Sequence, residues 1–233
     1  MKTVRIIVMM ALGAAGWVGG AVATASPAFA SQCPSGGGTC APDILSESGT
    51  LLASVSGTLT ASGSFTATYT EDVYQSNNVF CSGCLDFLLQ VKNSANSPQP
   101  IEHVNVSDFT GVLADIGENP SGASAPGSSF VNGTVAPADV SRSGSGAVIT
   151  WDFTGTHELP PGATSLVLEV ETNAKQFTTG TVSAQDGGVA QATGFAPNPP
   201  PPPNIAEVPF VPAMGLLGGV VVGGIALRRR HGV

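Results

Sequence analysis

The stretch Leu85 to Lys92 reads LDFLLQVK and decides the fold class of this chain. Its residues at 85, 87, 89 and 91 are apolar, and three of the four residues between and after them are polar. An apolar residue at every second position is typical of a strand that covers a core on one face and meets water on the other. The stretch therefore predicts a β-strand.

The same period of two recurs in both directions along the chain. It is found from Phe65 to Tyr69, from Ile149 to Thr154 and from Leu166 to Glu171. Further strands are expected near residues 51–59, 102–109, 177–184 and 188–193. Turns rich in Gly, Pro, Asn and Ser separate these segments, and none of useful length has a helical period. About eight short strands predict an all-β domain, a two-sheet antiparallel sandwich with Ig-like or jelly-roll connections.

Two details of this interpretation concern polar segments. Glu169 and Glu171 share one face of a predicted strand, so both carboxylates are expected to point to water. Residues 117–129 contain few large apolar side chains, and we expect them to form a long, mobile surface loop.

The N-terminal residues have the order of a secretory signal peptide. Two basic residues precede an apolar segment at 6–25, and a Ser-Pro pair then ends any helix. The small residues Ala28 and Ala30 fit the pockets of signal peptidase, which predicts cleavage between Ala30 and Ser31. The alternative is an uncleaved N-terminal membrane helix, since the segment is long enough to span a bilayer.

The C-terminal residues predict a membrane anchor. A Pro-rich spacer at 197–207 should be stiff and extended, and the segment from Phe210 to Leu227 carries no charge. As a helix that segment spans about 27 Å, which is enough for a bilayer core. Three arginines follow and would stay cytoplasmic, leaving the N-terminal part outside: Arg228, Arg229 and Arg230. The alternative is a buried helix or strand of a soluble domain.

The chain thus divides into five segments. They are a signal peptide at 1–30, a Cys-containing N-terminal arm at 31–48, a β-sandwich domain at 49–196, the Pro-rich spacer at 197–207 and a transmembrane or sorting tail at 208–233. A signal helix and a transmembrane helix should therefore flank the sandwich. Gly215, Gly219 and Gly223 share one face of the second helix and would allow a close helix–helix contact, although a merely Gly-rich segment has the same composition.

Residues 213–230, AMGLLGGVVVGGIALRRR, resemble the C-terminal sorting tails of exported bacterial surface proteins of the exosortase (PEP-CTERM) type. The preceding residues Glu207 to Pro212, EVPFVP, stand where such tails carry a Val-Pro-Glu-Pro-like signature, and the Pro-Glu-Pro itself is absent. The resemblance implies a destination at the cell envelope, with a sorting transpeptidase as a partner besides the export machinery and signal peptidase. It implies no activity.

The charge of the exported part excludes one class of partner. Residues 31–207 contain only Lys92, Arg142 and Lys175 as basic residues against all 16 Asp and Glu, a formal charge of −13. Nucleic-acid binding requires clusters of Lys and Arg, so no such partner is expected. Calcium is compatible with an acidic surface, but there is no EF-hand-like motif, and the sequence predicts no metal site and no cofactor.

The four cysteines all follow the signal peptide, and an even number in an exported chain predicts disulfides. Local pairing would join Cys33 to Cys40 and Cys81 to Cys84. The alternative ties the N-terminal arm to the sheet through Cys33 or Cys40. The Cys-Ser-Gly-Cys motif at 81–84 also allows a thiol-redox function, although it leads into a strand rather than a helix.

The sequence gives little support for hydrolysis or for glycan binding. His103 lies in a predicted strand and His157 in a turn, and no nucleophile elbow accompanies them, so no catalytic residue is predicted. A glycan platform needs exposed aromatic rings, yet Trp151 is on a predicted buried face, and Tyr69 and Tyr74 are the only tyrosines.

Three functions remain as hypotheses. The leading one is an exported, membrane- or envelope-anchored, non-catalytic surface protein, anchored by its helix or after processing of its tail. The second is an extracytoplasmic module that binds glycan or calcium. The third and weakest is a thiol-redox or hydrolytic enzyme.

Overall fold

A computed structural model describes residues 37–198, so the predicted signal peptide, the predicted spacer from residue 199 onward and the predicted tail lie outside the described residues. The described part contains β-strands and two short 3-10 turns, at Gly122–Ser124 and Gly155–His157. The strands are β1 Gly38–Cys40, β2 Asp43–Ile44, β3 Thr50–Ala61, β4 Phe65–Asn77, β5 Ser82–Asn93, β6 His103–Val106, β7 Ala114–Asn119, β8 Asp139–Arg142, β9 Ile149–Asp152, β10 Val167–Thr172, β11 Gln176–Asp186 and β12 Gly188–Asn198.

The strands form two sheets of six. Sheet 1 has the order β1-β8-β9-β6-β11-β12, and sheet 2 has the order β2-β7-β10-β5-β4-β3. All neighbouring strands are antiparallel except β2 and β7, which are parallel. The prediction of an all-β, two-sheet and mostly antiparallel sandwich is confirmed. The N-terminal arm contributes one short strand to each sheet, β1 to sheet 1 and β2 to sheet 2.

The main core lies between the sheets and contains the residues that the period-two pattern placed there. The alternating residues of β5, from Leu85 to Val91, belong to it, and Trp151 of β9 is fully buried. The indole Nε1 of Trp151 donates a hydrogen bond to the carbonyl of Gly117 at 3.2 Å. Phe87 and Phe109 pack edge to face with their ring centroids 5.3 Å apart. Each large side chain of this kind stabilises the fold by about 1.5–3 kcal/mol through burial.

Sheet 2 is also covered on its outer face, which the sequence pattern did not predict. Ala125 and Phe130 lie on a second, smaller core formed by Tyr74, Leu88 and Val167. Residues 117–129 therefore do not form a free surface loop, because 117–119 belong to β7 and the segment that follows packs on the sheet. The prediction was therefore wrong for 117–119, which are a strand, whereas most residues of 120–129 are exposed, as a surface loop requires.

A pair of amide hydrogen bonds fastens the covering segment to β5. The side chain of Gln90 donates to the carbonyl of Val131 at 2.7 Å and accepts from the Val131 amide at 3.0 Å. The covering segment is thus held by polar contacts as well as apolar ones, and β5 is buried on both faces over most of its length.

Arg142 is a buried cation at the end of β8. Its guanidinium donates hydrogen bonds to the carbonyls of Phe109 and Val112, both at 3.0 Å, and of Gly146 at 3.2 Å. Burial lowers the pKa of Arg142 from its usual value. The side chain thus ties together the two loops that connect β6 to β7 and β8 to β9.

Replacing Arg142 with Met should lower the free energy of unfolding by about 3 kcal/mol, because buried carbonyl oxygens lose a charged donor. Urea unfolding followed by circular dichroism measures the change. Lys92→Met is the matched control, since Lys92 is exposed, and it should stay within about 0.5 kcal/mol of the parent chain. Equal effects of the two substitutions would contradict this account of Arg142.

Glu71 of β4 is a carboxyl group in the interior between the sheets. It accepts a hydrogen bond from the Phe195 amide of β12 at 2.8 Å, which joins the edge of sheet 1 to sheet 2. Burial raises the pKa of Glu71 to about 8. A β-carbon at position 194 would overlap the Glu71 carboxyl, so Gly194 is required for this close approach.

Glu71→Gln should raise stability at high pH and not at low pH. The folded chain keeps Glu71 protonated up to about pH 8, whereas the unfolded chain ionises it near its ordinary pKa of about 4.3. The parent chain therefore loses stability as the pH rises through that window, and the Gln variant does not lose this part. Unfolding free energies at about pH 5 and pH 9 measure the difference. A gain that is the same at both values would refute the assignment.

Candidate functional site

Four buried carboxyl groups lie together on the outer face of sheet 2, and we call them the acidic cluster: Glu47, Asp86, Glu169 and Glu171. Glu171 of β10 is directly opposite Asp86 of β5, and Glu169 is two residues earlier on the same face. Glu47 comes from the segment between β2 and β3. The exposed fractions of the four side chains range from 0% for Glu169 to 9% for Glu171.

Three further acidic residues flank the acidic cluster. Asp115 of β7 is opposite Glu171 on the other side of β10, and Asp43 of β2 is opposite Gly117 of β7. Asp72 of β4 is opposite Leu88, which in turn is opposite Glu169. The acidic surface thus extends across five strands of sheet 2.

Two members of the acidic cluster are held by donors from the end of β4 and from the turn between β4 and β5. Asp86 accepts hydrogen bonds from the Asn78 side chain at 2.6 Å and from the Ser76 hydroxyl. Glu171 accepts one from the Val79 amide at 3.1 Å. These neutral donors orient the carboxylates but supply no countercharge.

The other two members are less well satisfied. Glu169 accepts only a long hydrogen bond, 3.3 Å, from the Asn119 side chain through Oε2, and Glu47 accepts from the Gly49 amide through Oε1. Their second oxygens, Glu169 Oε1 and Glu47 Oε2, are buried without a hydrogen-bond partner, as is Asp115 Oδ1. Eight further buried side-chain oxygens of residues 37–198 also have no partner, among them Glu71 Oε1 and Asn93 Oδ1, so this property does not distinguish the acidic cluster.

The carboxyl groups perturb one another electrostatically. Burial, with smaller contributions from the charges of Glu47 and Glu171, raises the pKa of Asp86 to about 8. Burial also raises the pKa of Glu169 well above its usual value, and the neighbouring carboxylates add to the effect. The pKa of Asp115 is raised to about 6 by burial and by the charge of Asp43.

No cation of the described part compensates this charge. Within residues 37–198, Arg142 bonds to backbone carbonyls, and Lys92 and Lys175 are exposed. The phenol of Tyr74, opposite Asp86, lies among the same carboxylates, and burial followed by the charges of Asp72, Glu47 and Glu169 raises its pKa to about 12.

The sequence predicted that Glu169 and Glu171 point to water, and this was wrong. Their face of β10 is the outer face, as expected, but the covering segment removes it from solvent. The sequence did contain one indication of this cover. Three large side chains lie on that outer face, Tyr74, Leu88 and Val167, and exposed apolar groups of this size are usually covered. Glu47 and Asp86 carry no comparable signal, because an isolated acidic residue in a loop or strand is usually exposed.

The histidines are placed apart from the acidic cluster. His103 of β6 contacts Asp152 of β9 at 2.5 Å between Nδ1 and Oδ1, and Asp139 lies on the far side of Asp152. The neighbouring hydroxyl of Ser183 is hydrogen-bonded to Asn105 rather than to His103. His157 contacts the Ala136 carbonyl in an exposed turn at 3.2 Å between Nδ1 and O. Sequence reasoning placed both histidines correctly in a strand and a turn.

Cys81 and Cys84 form a disulfide in the turn before β5. The Asn78 side chain accepts hydrogen bonds from the Phe80 and Cys81 amides, so the residue that orients Asp86 also shapes this turn. Ser82 begins a strand and not a helix, so the motif lacks the helix N-terminus that activates redox cysteines. Cys33 lies outside the described residues, and the pairing of Cys33 with Cys40 stays a prediction.

Two further observations concern only residues 37–198. They contain no helix of the length and apolarity that a membrane crossing requires, and the predicted anchor at Phe210–Leu227 lies outside them. They also contain no group of three or more His, Cys, Asp and Glu side chains that could hold a metal ion.

Comparisons with known proteins return no relative: no protein-family model, no curated protein and no solved structure matches this chain significantly.

The acidic cluster should make the fold more stable in mild acid than at alkaline pH. In the folded chain its member Asp86 stays protonated to about pH 8 and the flanking Asp115 to about pH 6, but both ionise near pH 4 when unfolded. The contribution of these groups to the free energy of unfolding is therefore greatest below about pH 4 to 5. A few kcal/mol of it are lost as the pH rises to about 8.

Urea unfolding of the purified chain between about pH 5 and pH 9 measures this slope. Glu169→Gln should reduce it, because one buried carboxyl group no longer ionises, and Glu158→Gln, at an exposed position, should leave it unchanged. Stability that is flat or rises over this range would contradict the prediction.

Proposed function

We propose that this chain is an exported, envelope-anchored and non-catalytic surface protein whose β-sandwich is displayed outside the membrane. The observation that carries the proposal is the order of its segments. A secretory signal at 1–30, a sandwich domain, a Pro-rich spacer and an apolar segment that ends in three arginines follow one another. The first segment provides for export, the spacer holds the sandwich away from the membrane, and the last segment provides the anchor.

The disulfide supports an oxidising destination. Cys81–Cys84 lies in a turn and is only partly covered, with Cys81 of intermediate exposure. Disulfides of this kind persist outside the cytoplasm and are rare in reducing compartments. The signal peptide and this bond therefore lead to the same compartment by independent arguments.

The arrangement of the polar groups supports a structural or adhesive role over catalysis. The His103–Asp152 pair has no hydroxyl nucleophile hydrogen-bonded to it, and the acidic cluster lies under a covering segment instead of facing a cleft. General acid–base chemistry on a bound substrate needs such groups within hydrogen-bond reach of the reacting atoms. The tail supports the envelope as the place of action, either as a retained helix or as a processed sorting signal, in which case a sorting transpeptidase is a partner.

Intact-mass measurement of the chain from membrane and medium fractions of its native cells tests the proposal. We expect a mature chain that begins at Ser31 and gains the mass of two hydrogens for each disulfide on reduction. A chain that extends to Val233 in the membrane would identify a helix anchor. A chain truncated between the spacer and Phe210 would identify a processed tail.

A variant with Arg228, Arg229 and Arg230 all changed to Glu is the control for topology. Because the positive charges hold the C-terminus in the cytoplasm, this variant should lose its fixed orientation, and protease added outside the cells should degrade a smaller share of its sandwich domain. A chain that keeps Met1, stays in the cytoplasm and has free thiols at Cys81 and Cys84 would overturn the proposal.

A further inference from the structure

We propose that the free edge of β3 is an interface between two copies of this chain, at which residues 53–61 of each copy pair antiparallel about a two-fold axis. This inference concerns the sandwich alone, and it holds or fails independently of export and display. It accounts for one edge of the sandwich that has none of the protection given to the others.

The two sheets of the described part end in four edge strands, and three of them are protected. β1 and β2 have three and two residues, which is too short to serve as a template for another strand. β12 is long, but side chains of sheet 2 bond to its backbone. The phenol of Tyr69 donates to the Thr193 carbonyl at 2.5 Å. The Glu71 carboxyl accepts from the Phe195 amide at 2.8 Å, and Pro197 has no amide hydrogen to donate.

β3 is the unprotected edge. It has twelve residues, and β4 is its only hydrogen-bonded neighbour in sheet 2. Within residues 37–198, the β3 backbone makes no hydrogen bond outside the β4 ladder except the turn bond from the Ser64 amide to the Ala61 carbonyl. Every second residue of an edge strand directs its amide and carbonyl away from the sheet, so unused donors and acceptors follow one another along β3. A β-bulge lies between Leu51 and Ala53, so the regular part of this edge is 53–61.

Sheet 1 leaves this edge open. The bonds from Tyr69 and Glu71 to β12 start from β4, which is one strand in from the edge. Ala53 and Val55 of β3 pack against the main core but stay partly exposed. A second strand beside β3 would complete their burial, which favours association.

The distribution of charge favours a second copy as the partner. Residues 48–70, which include β3 and its turn into β4, contain no Asp, Glu, Lys or Arg, whereas residues 31–207 have a formal charge of −13. Like charges that lie opposite each other across a strand pair destabilise it, so two acidic chains can pair only where neither presents charge. An uncharged edge offers no countercharge to a basic peptide, but it suits an identical uncharged strand.

The sequence of β3 is complementary to itself in this arrangement. With Gly57 on the two-fold axis, hydroxyl side chains of the two copies lie opposite each other on the exposed outer face, and apolar side chains lie opposite each other on the inner face. The four kinds of pair are Ser54–Thr60, Ser56–Thr58, Val55–Leu59 and Ala53–Ala61. Cross-strand pairs of like polarity stabilise antiparallel sheets.

The pairing is large enough for a stable dimer. Residues 53–61 of the two copies form nine residue pairs, compared with the eleven that β3 forms with β4. An antiparallel ladder has about one hydrogen bond for each residue pair, so the interface gains about nine, within the range of about 10 ± 5 that is typical of protein interfaces. Both β3 edges are used at the two-fold axis, so the assembly closes at two copies.

Sedimentation velocity of the full-length chain in detergent, combined with hydrogen exchange read by mass spectrometry, tests the proposal. We expect a reversible dimer whose share rises with chain concentration up to about 200 μM. Amide exchange in residues 53–61 should slow at least about fivefold over this rise, because outward amides of β3 gain acceptors. Peptides from β12 should exchange at the same rate at all concentrations.

Two charged variants and a control locate the interface. Ser56→Lys with Thr58→Lys places like charges opposite each other, so the dissociation constant of the dimer should rise at least about tenfold. Ser56→Glu with Thr58→Glu should have the same effect alone. An equimolar mixture of the two variants should restore the dimer, because each Lys then faces a Glu, and this rescue also shows that both variants fold. Gln191→Lys with Thr193→Lys, at exposed positions of β12, is the matched control and should dimerise as the parent does.

Three results would overturn the proposal. The first is a chain that stays monomeric at about 200 μM with fast exchange in residues 53–61, which leaves the edge to a partner of another sequence. The second is slow exchange in these residues at every concentration, which means that another segment of the same chain covers the edge. The third is a dimer that persists in the lysine variant or is lost in the β12 control, which places the contact elsewhere.

Discussion

Burial of β5 on both faces is the constraint on which the arrangement of charge in this domain depends. Its inner face packs in the core between the sheets, and its outer face packs under the segment that carries Ala125 and Phe130. The cover shields the apolar residues Leu88 and Val167 from water, but the neighbouring carboxyl groups are shielded with them. An acidic surface that would be ordinary in solvent thereby becomes a set of buried and mutually repelling groups.

Asn78, in the turn between β4 and β5, connects this group of carboxyl groups to its surroundings. Asn78 donates to Asp86 and to the carbonyl of Thr172, and it accepts from the amides of Phe80 and Cys81. One side chain therefore joins the disulfide turn, the end of β10 and the acidic cluster. The Cys81–Cys84 disulfide restricts the conformations of this turn, and it therefore helps to keep the donors to Asp86 in place.

The sequence was sufficient for the fold class and for most long strands, because each has apolar residues at every second position. It did not predict β1, β2, β7 or β8. Strands of two to four residues are too short for a period, and in β7 the inward position 118 carries a Glu, which breaks the apolar alternation. Glu71 shows the same limit, since a Glu at an inward position of β4 makes sense only once the Phe195 amide is known to lie opposite it.

The candidate site could not be predicted for a related reason. Its members come from β5, β10 and the segment before β3, which are far apart in the sequence, and no motif spacing joins them. What unites them is the cover over sheet 2, a tertiary feature that local periodicity does not report. The disulfide between Cys81 and Cys84 was accessible to sequence reasoning because it is local.

The edge position of β12 has a mechanical consequence. It pairs with β11 through eleven residue pairs, and the chain continues from its last residue, Asn198, into the Pro-rich segment. A pull on that segment along the strand axis would load all of these pairs together, as a shear, whereas a sideways pull would separate them one after another. The Glu71–Phe195 hydrogen bond lies three residues from the loaded end and ties β12 to the opposite sheet. Tension on β12 would thus reach sheet 1 through the β11 ladder and sheet 2 through the Glu71–Phe195 hydrogen bond.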